Sequence, residues 1–145
     1  MYHFDWLKRH AERTPHKLAL VDAHSGRQFS YEQFNERASR FAHFLHHTLG
    51  LQRGERVSIL AQNSSDYYEV LFGCGKIGAI LNTLNWRLAV PELEYILNDC
   101  APRVLIYEPM FAEAVDALRD RCSCELNVVM ANEAPGGEWT YEDAL

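Results

Sequence analysis

No stretch of this sequence stays apolar for the roughly 18 to 20 positions that a membrane-crossing helix requires, because polar residues interrupt every hydrophobic run. Basic residues are in deficit. Fourteen Lys and Arg stand against twenty Asp and Glu, a formal net charge of -6. A general nucleic-acid binder needs clustered cations against phosphates, so that class is excluded. Cysteine is scarce: Cys74, Cys100, Cys122 and Cys124 are the four. Cys122-x-Cys124 lacks zinc-finger spacing, and no second Cys/His pair follows at finger distance, so neither a metal site nor a disulfide framework is expected. The opening "MYHFDWLKRHAERTP" lacks the basic-then-apolar layout of a secretory signal. The expected compartment is the cytoplasm, where thiols stay reduced. Internal repeats and low-complexity tracts are missing too, and only "NEAPGGEW" (132–139) is loosely composed.

What is present is an ordinary globular composition. Hydrophobic residues make up 48% and charged residues 23% of 145 positions, enough for one domain with a core. "FDWLKRHAERTP" (4–15) predicts a short helix with Phe4, Leu7, His10 and Ala11 on one face. "KLALVD" (17–22) and "QFSY" (28–31) predict two strands joined through Ser25-Gly26 as a hairpin. Ser30-Tyr31-Glu32-Gln33 is a capping box. The helix that it opens is expected to reach Leu49, burying Phe34, Ala38, Phe41, Leu45 and Leu49, with Gly50 ending it.

From there strands and helices alternate. "ERVSILAQ" (55–62), "AILNTL" (79–84), "RVLIY" (103–107) and "ELNVVMA" (125–131) read as strands, the last being the final one. Between them lie a helix capped by Asn63, Ser64 or Ser65, a helix over 90–100 with Pro91 in its first turn, and a helix over 111–121. The first of these is expected to bury Tyr67, Val70, Leu71, Cys74 and Ile77. Thr140 reads as the cap of a further helix. Short, continuous apolar strands alternating with helices imply an α/β fold: a mostly parallel, doubly wound, flavodoxin-like sheet with a small N-terminal hairpin.

Gly73-x-Gly75-x-x-Gly78 has the letters of a dinucleotide fingerprint. The order is wrong for that job. A fingerprint lies between a strand and the helix that follows it, so that phosphates meet a helix N-terminus. Here a capped helix runs into the glycines and a strand comes out, so phosphates would meet carbonyls. The better reading gives Gly73 and Gly75 to close helix packing and Gly78 to a left-handed cap.

Three further groups bear on function. His43, His46 and His47 fall opposite the apolar stripe with no carboxylate or Cys partner, so they read as a solvated face rather than a metal site. Asp22, Asn63 and Glu108 sit at predicted strand ends, where ligands bind in open parallel sheets. They keep an alternative open, a flavodoxin-like binding or signalling module. A phosphoacceptor receiver would need an acidic pair after its first strand, and "LVDAH" offers one acid. A flavin module would need a phosphate loop there, and "DAHSGRQ" leads into a strand instead.

Lys76-Ile77-Gly78-Ala79, Asn85-Trp86-Arg87-Leu88 and Glu92-Leu93-Glu94-Tyr95-Ile96-Leu97 follow one another in that order. Upstream are "FSYEQFNERASRFAHFL" (29–45) and "GLQRGERVSILAQNSSDYYEVLFGC" (50–74). In series these resemble the N-terminal part of the adenylate-forming enzymes, especially the acyl-CoA synthetases. Phe34 stands where the family has Leu, and Glu55 where it has Asp. The resemblance implies a two-step reaction: a carboxylic acid and ATP give an acyl-adenylate and pyrophosphate, then coenzyme A displaces AMP. It implies ATP, Mg²⁺ and coenzyme A in a complete member, none tightly bound to this chain. It also implies that Arg87 lies near the phosphates of coenzyme A, the one site residue expected here. A guanidinium suits that role, and the ordinary alternative is a surface pair with Glu92 or Glu94.

The family's phosphate loop, ending Gly-x-Pro-Lys, does not occur in this sequence, nor do its adenine and ribose motifs or its catalytic lysine. Residues 1–145 are therefore expected to be one N-terminal subdomain, truncated before that loop, with no catalytic residue of its own and no activity alone. Peptide-synthetase domains and luciferases share most of these motifs. The Asn-x-Arg-Leu turn is what favours the ligases. A half-enzyme should expose apolar surface meant for its remainder, so self-association is expected.

Overall fold

The computed structural model describes residues 5–124, 126–130, 139–141, 144 and 145. Helix α1 (Trp6–Arg13) starts where the Asp5 side chain accepts from Lys8 N–H at 3.0 Å. Phe4, expected on its inner face, lies outside the described residues. Strands β1 (Leu18–Val21) and β2 (Gln28–Ser30) pair antiparallel as the expected hairpin and form a sheet of their own. The capping box is complete. Ser30 Oγ accepts from Gln33 N–H at 3.3 Å, and Gln33 Oε1 accepts from Ser30 N–H at 2.9 Å.

Helix α2 (Tyr31–His43) departs from expectation at its far end. Residues Phe44–Thr48 form a π-helical turn, closed by Leu49 N–H donating to Phe44 C=O at 3.1 Å. Phe44, which a straight helical stripe leaves out, is packed in the core beside Phe41, Leu45 and Leu49. Gly50 then turns the chain with φ of 68°.

The second unit begins with β3 (Arg56–Leu60), α3 (Ser65–Ile77), β4 (Ile80–Thr83), α4 (Val90–Cys100) and β5 (Val104–Tyr107). A short 3-10 turn (Pro109–Phe111), α5 (Ala112–Leu118) and β6 (Leu126–Val129) follow. One strand was not foreseen. Trp139–Thr140 forms β7, parallel to β6, with Val128 opposite Trp139 and Val129 opposite Thr140. Thr140, read from sequence as a helix cap, is a strand residue, because pairing with β6 decides its conformation. Two residues are too few to show a strand's period.

The sheet order is β4-β3-β5-β6-β7, every neighbouring pair parallel. Renumbered along the chain, that is the flavodoxin-like order 2-1-3-4-5. Alternate residues serve opposite faces. Val57, Ile59, Val104 and Ile106 pack under α2 and α3, whereas Leu60, Leu105 and Tyr107 pack under α4 and α5. Leu7, Phe34 and Ala38 form a third cluster, with α1 and the hairpin lying on the outside of α2 and α3.

Helix α3 meets α2 through Gly73. A Cβ there would stand 2.8 Å from Phe41 Cδ1 and 3.2 Å from Ala38 C=O. Gly75, assigned the same role from sequence, is exposed and takes no part in the contact. The inner stripe of α3 thus runs through Glu69, Val70, Gly73 and Cys74. Leu71, expected inside, is 41% exposed because this stripe turns it to the rim. Gly78 ends the helix with φ of 73°, the left-handed cap expected of it.

Candidate functional site

Ligands of parallel sheets bind beyond the C-terminal strand ends, where the strand order reverses. In this sheet that point lies between β3 and β5. A cleft of about 350 Å³ opens there, lined by Asp22, His24, Gln62, Asn63, Ser64, Glu108, Pro109, Met110 and Met130. Asp22, Asn63 and Glu108, flagged separately in the sequence, come together in it.

The Asp22 and Glu108 carboxylates and the Ser64 hydroxyl are already engaged. Asp22 Oδ1 accepts from His24 and Ser25 N–H, and Asp22 Oδ2 accepts from Ser65 N–H at 3.1 Å and Ser65 Oγ–H at 3.2 Å. The backbone hydrogen bonds from Ser25 and Ser65 hold its carboxyl well below the usual carboxylate range. Ser64 Oγ accepts from Tyr67 N–H at 3.2 Å. Glu108 Oε2 accepts from Gln62 N–H at 3.0 Å. The N-terminus of α3, where a phosphate would sit, is filled by the protein's own carboxylate. Neither a flavin phosphate nor a phosphoacceptor site fits that arrangement.

The next strand end is different. Beyond β4, Asn85 Oδ1 accepts from Arg87 N–H at 3.1 Å, and Leu88 N–H donates to Asn85 C=O at 3.1 Å. Glu92 Oε2 accepts from Ala89 N–H at 2.9 Å and so caps α4. Glu94 pairs with Arg121 at 3.5 Å. Both carboxylates that might have neutralised Arg87 are thus used elsewhere. The Arg87 guanidinium is exposed, 4.1 Å from the centre of the Trp86 ring, and has no carboxylate partner among the described residues. Trp86 in turn lies 6.4 Å from the Phe111 ring, next to Met110 of the cleft wall. A planar cation, backed by an indole and open to solvent, can take a phosphate or carboxylate in a two-point contact.

The three histidines make no comparable site. His43 and His47 stack at 4.2 Å, and His46 Nδ1 lies 3.0 Å from Leu51 C=O. Among the described residues, no group of three or more His, Cys, Asp or Glu side chains is placed to hold a metal ion.

A sequence model of the AMP-binding enzyme family matches residues 7–144. The chain belongs to the AMP-binding enzyme family. It is 40% identical over 109 residues to the fatty acid–[acyl-carrier-protein] ligase ScoC of Streptomyces coeruleorubidus, covering 75% of this chain and 20% of that protein. It is 36% identical over 141 residues to the indoleacetate–CoA ligase of Aromatoleum aromaticum, covering 97% of this chain and 27% of that protein. The chain therefore spans about a quarter of the length of the curated relatives it matches. Among solved structures, the anthranilate CoA ligase AuaEII in complex with anthranoyl-AMP superposes with a TM-score of 0.90 at 30% identity. That match covers 99% of this chain and 28% of the ligase.

In this AMP-binding enzyme chain, several family-like motifs have structural work. Lys76 Nζ donates to Asp5 Oδ2 and to Asn35 Oδ1, both at 2.7 Å, tying α3 to the start of α1 and to α2. Glu69, which sequence reasoning passed over, is fully buried. It accepts from Arg37 Nε at 2.5 Å and from the Tyr141 hydroxyl at 2.8 Å. Burial pushes the Glu69 carboxyl up, against the pull of Arg37 and Tyr141. Arg37 also approaches Asp66 at 3.7 Å, and Arg27 bonds Ser65 and Asp66. The available sequence signal was Glu69 at the helical spacing of Gly73. No helix of the described residues is long and apolar enough to cross a membrane.

Proposed function

We propose that residues 1–145 form the N-terminal subdomain of an ATP-dependent carboxylate–CoA ligase. In the complete enzyme a carboxylic acid is joined to AMP with release of pyrophosphate, and coenzyme A then takes the acyl group and releases AMP. Mg²⁺ accompanies ATP in this chemistry. Membership of the AMP-binding enzymes supports the reading, as do relatives whose names specify indoleacetate and fatty acids as acids.

The contribution of these residues is positional. The sheet and its paired helices hold the Asn85–Leu88 turn at one strand end, and Arg87 contacts a coenzyme A phosphate there. Asp22 fills the N-terminus of α3, the helix end at the switch point, so the triphosphate is assigned elsewhere. Its contacts belong to the remainder of the enzyme, which is this subdomain's principal partner. A cytoplasmic location accords with four cysteines that form no disulfide. In isolation the chain releases no pyrophosphate and self-associates.

The observation that carries the proposal is the solvent-facing Arg87 guanidinium, without a carboxylate partner among the described residues. The test is Arg87→Ala in the full-length ligase. The KM for coenzyme A should rise while acid-dependent ATP–pyrophosphate exchange stays unchanged. An unchanged KM, thioester formation on a carrier protein but not on coenzyme A, or pyrophosphate release by residues 1–145 alone would overturn it.

A further inference from the structure

Among the described residues, β4 is the last strand on its side of the sheet. Ile80 N–H donates to Glu55 C=O and Leu84 N–H to Ile59 C=O, both at 2.9 Å. The even-numbered residues therefore bond inward to β3. By the alternation of a strand, the N–H and C=O groups of Leu81 and Thr83 face outward.

Open edges are usually blunted by charge, proline or a bulge. The hairpin has such devices. Lys17 and Asp22 flank β1, and its register shifts between Leu18 and Leu20. Strand β4 is short, four residues, but has none of these three. Ile-Leu-Asn-Thr carries no charge and no proline, and it pairs with β3 without a register break. Ile80 is 53% exposed. On the α3 side of the strand lies a groove of about 560 Å³, walled by Trp6, Leu71, Phe72 and Leu81. Lys76, the buried cation of this groove, is neutralised by Asp5 at 2.7 Å. Arg53 remains at the rim, its stem over Gly78 at the start of the strand.

We propose that the β4 edge is a pairing surface for a second copy of this chain, joined antiparallel about a two-fold axis normal to the sheet. An uncharged strand is self-complementary, because like charges do not meet across the seam. The antiparallel arrangement also puts the two Arg53 side chains at opposite ends of the paired strands. That separates them by about 13 Å, beyond the screening length at physiological salt. The same axis keeps both α3 faces on one side, so the grooves meet and the exposed Trp6 and Leu71 rims are covered together. The inference gives the self-association proposed above a surface, and it stands whether or not the ligase reading does.

The test is sedimentation equilibrium of residues 1–145 from micromolar to near-millimolar concentration, with amide exchange on the same samples. The expected result is a species of twice the chain mass, with exchange at Leu81 and Thr83 slowing as concentration rises. Ile80→Lys should halve the mass. Leu71→Lys should weaken the association in the same direction, and circular dichroism would check that both variants stay folded. Val21→Lys, on the hairpin, should leave the dimer intact. A monomer at every concentration, a dimer that survives both β4-side substitutions, or dissociation by Val21→Lys alone would overturn the proposal.

Discussion

At the ends of β3 and β5, Asp22, Ser64 and Glu108 are bonded to backbone N–H groups of the protein itself. At the end of β4, the Arg87 guanidinium faces solvent over Trp86. The two regions share one edge of one sheet. The first has the position that parallel sheets usually reserve for ligands, yet its two carboxylates and the Ser64 hydroxyl are engaged. The second lies beside the sheet's open side, and its charge is available. Position in the fold and the availability of charge therefore point to different strand ends. A carboxylate that caps a helix competes with any incoming anion, whereas an arginine stacked on an indole gives up only water.

That contrast can be broken at four places. The largest effect is expected at Glu69, the fully buried carboxylate shared by Arg37 and Tyr141. Glu69→Ala leaves Arg37 and the Tyr141 hydroxyl without their buried acceptor. It should cost about 3–5 kcal/mol in urea unfolding at neutral pH. A loss near zero would mean that Arg37 reaches water without penalty. Gly73→Ala is next. Its new methyl meets Phe41 and the Ala38 carbonyl, so about 1–3 kcal/mol should be lost despite the better helix propensity of alanine. Gly75→Ala, at an exposed position, should not be destabilising.

The third test uses pH. Asp22 has its carboxyl depressed in the folded state by hydrogen bonds from the Ser25 and Ser65 backbone. Asp5 and Glu55 are depressed as well, with Lys76 lowering the first and the Gln52 N–H the second. For groups of this sign, stability is fully present above the unfolded carboxylate pKa of about 4 and is lost as pH falls toward the folded values. The urea midpoint should drop through this acid range, and Asp22→Asn should flatten the drop. Parallel curves for wild type and variant would remove Asp22 from the account. The smallest effect is expected on the free side. Arg87→Ala should leave stability within about 0.5 kcal/mol of wild type, because the side chain is exposed and has no ionic partner among the described residues. A larger loss would show that Arg87 has a structural partner after all.

Features set by a few neighbouring residues were legible before any fold was known. The Ser30/Gln33 box, the left-handed Gly78, the hairpin around Gly26 and the alternation of strands with helices all depend on short-range geometry, and all are present. The motif series from Lys76 to Leu97 likewise pointed to the family that the comparison establishes. Strand β7 was not legible, because two residues become a strand only beside β6. The π turn was not either, because the hydrophobic spacing of residues 34–49 is that of a continuous helix. Leu71 and Gly75 were misplaced by a helical wheel that could not include Phe41.

Sequence by itself determined the hairpin, the alternation of strands and helices up to β6 and the family, since capping, turn chemistry and hydrophobic period act over a handful of positions. Tertiary structure alone decided which charges are used. Glu69 is buried because Arg37 arrives from another helix and Tyr141 from the far end of the chain. Arg87 has no ionic partner among the described residues because Glu94 lies within reach of Arg121 and Glu92 turns back to cap its own helix. Electrostatic pairing depends on distances in space between residues remote in sequence, and only the fold supplies those distances.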